Sequence, residues 1–308
     1  MTCCRYPGTD GFLNVNKPRG KTSFNIVAGV RKLTGEKRVG HAGTLDPLAT
    51  GVLPVCIGQA ARLVEYLADS TKTYRAEIEL GIATDTYDAE GKILQKADAN
   101  YVTRQMVEEV LGSFKGEITQ ETPVFSAVKY QGKPGYELSR KGIKITPKTR
   151  LARIERIEIV DWRPSLVTLE IDCGKGTYIR SIANELGRKL GCGAYLKNLV
   201  RMKYGIFRIV DALTIEQVEE ACKIGFWQHL LYPMDSVLSN FPSAVIGEDT
   251  ELTLCNGNAI PLKDCQANTL CRVYNYCGNL VAVVRFDSER NLWQPEKVFG
   301  KLDTVSVV

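Results

Sequence analysis

The sequence predicts an α+β protein followed by a small β-rich domain. Three observations carry that expectation. Strand-like and helix-like segments are intermixed up to about residue 240, without the strand–helix–strand rhythm of a doubly wound sheet. Beyond that point the pattern changes to short strands and turns, as in LCRVYNYCGNLVAVVRF. The 308 residues, 44% of them hydrophobic and 24% charged, give a globular composition long enough for two domains.

The elements follow in order. GFLNVNKP reads as a short strand closed by Pro18. Ser23 is placed to cap a helix with Ile26, Val27, Val30 and Leu33 at helical spacing, and Gly35 stops it. The loop GHAGTLDPLATGVLP comes next, then the apolar VLPVCIG and a helix at ARLVEYL. In KTYRAEIELG, Tyr74, Ala76, Ile78 and Leu80 take one face of a strand, and Arg75, Glu77 and Glu79 take the other. After the turn TDTYDAEG come a further strand and a helix carrying Met106, Val107, Val110, Leu111 and Phe114 on one stripe. Residues 129–150 hold three glycines and two prolines, which predicts an exposed arm or insertion. LVTLEIDCG alternates, with Val167, Leu169, Ile171 and Cys173 facing in and Thr168, Glu170 and Asp172 out. Gly174 and Gly176 flank a tight turn, and Thr177 is placed to cap a helix that buries Ile179, Ile182, Ala183, Leu186 and Leu190 and ends at Gly191.

Composition excludes several classes. The late aliphatic run Leu280 to Val284 is far short of the roughly 18 residues a bilayer span needs. MTCCRYPGTD has neither a basic start nor an apolar stretch, so no secretion signal is expected. Ten cysteines are too sparse for a disulfide scaffold, and Cys255, Cys265, Cys271 and Cys277 lack the short spacings of a zinc site. Buried thiols in a reducing cytoplasm are expected, and no metal. Charge is more informative. Residues 17–38 and residues 129–150 each carry a local +6, so the remainder of a chain with net charge +5 sums to −7. Two basic blocks on an otherwise acidic protein suggest a polyanion partner, although either block alone would read as a solvated surface.

GKTS at residues 20–23 imitates the end of a phosphate-binding P-loop, but the required earlier glycine is replaced by Val15. Nucleoside triphosphate binding is therefore not expected. Asp46 is the more telling residue. Asp-Pro is a common turn initiator, and on local grounds Asp46 forms a turn. Two features point further. The loop carries His41 and follows the first basic block, and Arg180 falls in the first turn of a helix, where a cation opposes the helix dipole by about 0.3–1 kcal/mol. A buried carboxylate meeting Arg180 would remove that conflict and would itself be held ionised, while a surface arginine reaching solvent fits the position equally well. Such an aspartate at a sugar carbon is a nucleophile or a base. Tyr74 and Tyr178 read either as packing groups or as rings on which an extruded base stacks. His41 reads as a surface residue or a contact to a base or phosphate.

Taken together, these segments resemble a family. GHAGTLDPLATGVLP resembles the signature of the TruB-type tRNA pseudouridine synthases, which isomerise uridine 55 in the T-loop of tRNA. The resemblance continues through NVNKPRGKTS, KTYRAEIELG with TDTYDAEG, PVFSAVKYQGKPGYELSRKG, and CGKGTYIRSIANELG followed by YLKNLVR, over about residues 10–210. The late segment, with CNGNAIPL and LWQPEKVF, is similar to a PUA-type RNA-binding domain, although residues 241–308 net −2. The resemblance implies a mixed or antiparallel sheet with helices around a central cleft, in a catalytic domain at 8–238 that includes an RNA-gripping insertion at about 124–150, and a PUA-like domain at 241–304. It implies that Asp46 is catalytic and that Arg180 pairs with it. It places Tyr74 under the target base with Tyr178 beside it, His41 against the T-loop, and Leu199 in the wall of the base pocket. It assigns backbone contacts to Lys129, Arg140, Lys141, Lys144 and Lys148. The opening TCCRYPG matches nothing in the pattern and is expected to be disordered. No cofactor is implied, since the reaction is a rearrangement, and a cytoplasmic monomer acting on tRNA is expected. The alternatives are a non-catalytic tRNA-binding or RNA-folding protein and a glycosidase that releases the base.

Overall fold

β1 (Gly11–Lys17) is buried on both faces, Leu13 and Val15 in one apolar cluster and Phe12 in another, and it pairs with β3 (Thr50–Ile57) along its whole length inside a ten-stranded sheet. The sheet belongs to a computed structural model that describes residues 9–125, 129–130, 132–135, 138, 143, 145–262 and 270–299. The opening TCCRYPG lies outside the described residues.

Between β1 and β3 come α1 (Ser23–Thr34) and the short β2 (Val39–His41). Gly35 ends α1 at φ +73, as its position in the sequence suggests. The start differs by one residue. Thr22, not Ser23, is the cap: its hydroxyl accepts from the Asn25 N–H while the Asn25 side chain accepts from the Thr22 N–H. Ser23 spends its hydroxyl elsewhere, on the loop that follows.

A 3₁₀ turn and α2 (Val64–Ala68) lead into β4 (Lys72–Leu80), which pairs with β11 (Leu166–Cys173) on one side and β12 (Ala194–Tyr204) on the other. β11 buries Val167, Leu169, Ile171 and Cys173 as the alternation predicts, but Thr168, expected to face out, is buried as well. Next to it run β10 (Thr149–Arg163) and the edge strand β7 (Gly116–Glu121). The sheet order from one edge runs β14 (Tyr232–Pro233), β1, β3, β12, β4, β11, β10, β7, with antiparallel pairs except at β3/β12. There only Thr50↔Val200 and Gly51↔Arg201 are paired, in parallel. The mixed, mostly antiparallel sheet is the expected one.

Two long strands carry no clean alternation. β10 shifts register between Ile154 and Arg156 and between Ile159 and Asp161, and β12 does so between Leu196 and Asn198 and between Arg201 and Lys203. Each shift swaps the face that the following side chains occupy, which hides a strand from a period-two test.

α3 (Arg104–Gly112) and α4 (Ile179–Leu190) cover one face, and α4 buries Ile179, Ile182, Ala183, Leu186 and Leu190. Its cap also differs from expectation. Thr177 donates to the Gly174 carbonyl and so belongs to the turn, while Tyr178 occupies the cap position without a side-chain bond. Gln120 compensates by bonding both the N–H and the carbonyl of Tyr178. The late segment forms the expected small sheet, β15 (Ser243–Ile246), β16 (Leu270–Asn275), β17 (Leu280–Asp287) and β18 (Leu292–Val298). Leu270, Val283 and Phe299 pack with Phe12, Leu63, Leu67 and Phe207 of the larger body in one apolar cluster. Cys56, Cys173 and Cys192 are buried free thiols, whereas Cys271 is disulfide-bonded, against the expectation of thiols throughout.

Candidate active site

The loop between β2 and β3 is fastened at several points around Asp46. Ser23 Oγ accepts from the Leu45 N–H at 2.9 Å and lies 3.2 Å from the Leu45 carbonyl. The Gly20 N–H donates to the Pro47 carbonyl at 2.8 Å. Lys17 Nζ reaches the same carbonyl at 3.3 Å, and those of Pro18 at 2.9 Å and Lys21 at 2.6 Å. The Ala49 N–H returns to the Asp46 carbonyl at 3.1 Å, a turn with Pro47 in its second position. The Asp46 backbone is therefore occupied by the turn. Its carboxylate is not.

That carboxylate meets Arg180. Nε of Arg180 stands 2.8 Å from Asp46 Oδ2, and Nη1 stands 3.5 Å from Asp88 Oδ2. Two carbonyls complete the shell: Phe125 accepts at 3.2 Å from both terminal nitrogens and Thr86 at 3.4 Å from Nη1. Both carboxylates offset the unfavourable position of Arg180 at the start of α4. The Nε–H does not point along a hydrogen-bond line, so its contact with Asp46 is charge attraction rather than a directed bond. Burial falls opposite to expectation. The Arg180 side chain is 6% exposed while that of Asp46 is 40% exposed, so the acid opens to solvent and the base is the buried partner. Asp88 is buried too, held by the Thr86 hydroxyl at 2.6 Å and the Glu90 N–H at 3.1 Å.

Of the remaining candidates, Tyr74 lies within electrostatic reach of Asp46. Tyr74 is half-buried on β4, opposite Arg201 of β12. Burial pushes its hydroxyl pKa up, while the Arg201 charge pulls it down and Asp46 pushes it up further. Leu199 is 7% exposed and opposes Ala76. His41 ends β2 with Nδ1 buried and unbonded among the described residues. Burial first, and Arg201 second, push its pKa below the usual 6.5, so the ring is neutral at pH 7. Tyr178 occupies the cap of α4, two residues before Arg180, and Arg150 covers its ring at 5.0 Å. Lys148 is exposed and lies 4.9 Å from the Tyr130 ring. Arg140, Lys141, Lys144 and the Lys129 side chain lie outside the described residues.

Three members escape a reading of the sequence. Lys17 counts among the basic surface residues yet is 0% exposed; burial lowers its pKa to about 8, partly opposed by the Asp46 and Glu90 charges. Asp88 lies in TDTYDAEG, which signals only a turn. Arg201 follows Leu199 in LVRMKY, where a strand arginine is ordinarily solvent-facing. Lys17 and Arg201 bond carbonyls of the segments flanking Asp46 and Asp88 pairs with Arg180, contacts that become visible only in the fold.

Comparison with known proteins then adds an independent observation. A profile described as "TruB family pseudouridylate synthase (N terminal domain)" matches residues 31–179, and one described as "tRNA pseudouridylate synthase B C-terminal domain" matches residues 180–239. A tRNA pseudouridine synthase B of Dehalococcoides mccartyi is 45% identical over 290 residues, covering 94% of this chain and 96% of that protein. Its counterpart in Clostridium kluyveri is 41% identical over 255 residues, covering 83% and 86%. Among solved structures, a chain of a Cbf5-Nop10-Gar1 complex superposes with TM-score 0.70 at 25% identity, covering 94% of this chain and 85% of that one. A chain of an H/ACA RNP bound to a substrate RNA containing 2'-deoxyuridine superposes with TM-score 0.71 at 23% identity, covering 96% and 86%.

Proposed function

The chain belongs to the TruB family of pseudouridylate synthases, and on that premise we propose that it isomerises uridine to pseudouridine at position 55 in the T-loop of tRNA. The observation that carries the residue assignment is the Asp46–Arg180 ion pair, with a solvent-open carboxylate held by a buried guanidinium.

The target base leaves the RNA stack at a cost of a few kcal/mol. Stacking on Tyr74 and contact with Leu199 offset that cost inside the cleft, while His41 and Tyr178 hold the displaced nucleotide. The bond from uracil N1 to the ribose C1′ breaks, the base turns in place, and C5 bonds to the same carbon. The proton on C5 is lost and one is gained at N1, so no atom or electron is exchanged with a second reactant. Asp46 acts at the ribose, as nucleophile at C1′ or as base on its neighbouring carbon. Arg180 keeps the carboxylate anchored through both routes. Residues 8–238 form the catalytic domain, with the basic segment 124–150 gripping the tRNA backbone. Residues 241–304 form a PUA-like RNA-binding domain. The protein acts as a monomer in the cytoplasm; among the described residues no helix is long and apolar enough to cross a membrane.

Incubation with unmodified tRNA, chemical derivatisation of pseudouridine and mapping of the modified nucleotide tests the proposal. Wild type is expected to modify position 55 alone. Asp46→Asn is expected to bind tRNA normally and form no pseudouridine. Conversion at the wild-type rate by Asp46→Asn would remove Asp46 from the chemistry, and modification elsewhere would overturn the assigned position.

A further inference from the structure

The Arg201 side chain holds the segment that carries Asp46 from both sides. It is 1% exposed, in a part of β12 paired in parallel with Gly51 of β3 and antiparallel with Tyr74 of β4. Nε donates to the Val52 carbonyl at 2.6 Å, and Nη2 donates to the Gly43 carbonyl at 3.0 Å. Gly43 and Val52 bracket Asp46 in the chain. One planar fork therefore spans the segment that carries the acid, from a strand that the other fastenings, Ser23 and Lys17, do not touch.

The surroundings are shaped to this fork. Gly43 has φ +71, and a Cβ there would stand 2.9 Å from the Tyr204 ring and 3.4 Å from Arg201 Nη1. The Tyr204 ring lies 5.0 Å from the guanidinium and 4.5 Å from the Lys72 ammonium. Burying a cation carries a desolvation cost of several kcal/mol, and an apolar residue of similar volume commonly stabilises as well or better. Stability alone is thus a poor reason for an arginine here. Its charge, in contrast, is felt across the site, at His41, Tyr74 and Lys17.

We propose that Arg201 is a positioning residue for the isomerisation: its two-pronged hold on the Gly43 and Val52 carbonyls fixes the Asp46 loop, and with it the distance from carboxylate to ribose. The inference rests on Asp46 being the reacting group. Arg201 stays buried beneath the cleft and touches no substrate atom.

Arg201→Met keeps the stem and removes the fork, while Arg201→Lys keeps a charge that cannot bridge both carbonyls. Single-turnover rates at saturating tRNA are expected to fall about 100-fold in the Met variant, with tRNA affinity within about threefold of wild type. The Lys variant is expected to recover about tenfold of that loss. The chain has two histidines, so NMR titration with His229→Gln as the assignment control reads His41 alone. Its pKa is expected to rise in the Met variant and to stay near wild type in the Lys variant, an order that mechanical loosening alone would not produce. A folded Met variant with the wild-type single-turnover rate, alongside an inactive Asp46→Asn, overturns the role of Arg201 and leaves that of Asp46 intact. An active Asp46→Asn instead removes the premise. Should the Met variant fail to fold, the Lys variant decides: an unchanged rate overturns the proposal, and a loss of about tenfold at unchanged affinity supports it.

Discussion

Arg156 and Arg180 each stand at the centre of a group of carboxylates, and the two groups are built in opposite ways. Arg156 lies on the outer face of β10, 38% exposed, and donates to Glu158 at 3.0 Å, Glu170 at 2.6 Å and Asp172 at 2.7 Å. The partners are close in the sheet: Arg156 opposes Asp172, Glu158 opposes Glu170, and on the next strand Arg75 opposes Glu170 and Thr73 opposes Asp172. The three bonds that Arg156 makes are short and directed, and two of its acids have a further donor, Arg75 for Glu170 and Thr73 for Asp172. Arg180 is buried, its contact with Asp46 is undirected, and its other bonds are longer. The difference lies in what is left open. The satisfied group is a surface ladder of cross-strand pairs. The under-satisfied group leaves Asp46 with a carboxylate 40% exposed, the opening that the proposed reaction at the ribose requires.

The comparison breaks first at Arg180. Removing one partner of a buried charge group leaves the others uncompensated, so Arg180→Met is expected to destabilise the fold by about 3–5 kcal/mol. Denaturant titration measures that loss, and pseudouridine formation by the folded fraction should fall by at least about 100-fold. A stable, active Arg180→Met would mean that the buried group is no more than a packing solution. At Arg156 the same kind of substitution should do little. Arg156→Ala is expected to cost no more than about 1 kcal/mol, because its partners are near water and screened. Its activity should equal that of wild type. Were Arg156→Ala to lose more stability than Arg180→Met, the contrast between the two groups would be reversed.

Much of the fold is legible in the chain, and the exceptions have physical causes. α1, β4 and β11 announce themselves through periodicity, α1 also through its glycine stop, and β1 through its closure by Pro18. β10 and β12 do not, because bulges reset which face each residue occupies. The Asp46–Arg180 pair is legible only in part: an arginine at a helix start is electrostatically out of place but can reach solvent, and it is the family resemblance that pairs it with Asp46. Arg201 is not, since its inward direction follows from the registers of β12 on either side of it. Lys17 shows the converse: counted by charge it belongs to a basic surface, and only the fold turns it inward onto three carbonyls. Charge counts describe a segment; burial belongs to single residues.

The smallest expected effect lies in the pH dependence of the Arg156 group. Glu170 is held below its ordinary value of 4.5, chiefly by the hydrogen bond from Arg156, against some desolvation. For Asp172 burial alone would raise the pKa above 3.8, but hydrogen bonds from Arg156 and Thr73 outweigh it and lower the value. A carboxylate whose folded pKa is depressed stabilises the fold fully above its unfolded pKa, and that contribution disappears as pH falls through the folded value. The stability gap between wild type and Arg156→Ala should therefore be present at pH 7, begin to close near pH 4.5, and keep shrinking as pH falls through the depressed folded values. Thermal melts of both proteins at matched ionic strength read the gap directly, and added salt should narrow it at pH 7 because the group is partly exposed. A gap that stays constant through the acid range would mean that Arg156 stabilises by packing its stem on the sheet rather than by its charge. The ladder would then be a hydrophobic contact with a charged rim, and its contrast with the Arg180 group would rest on burial alone.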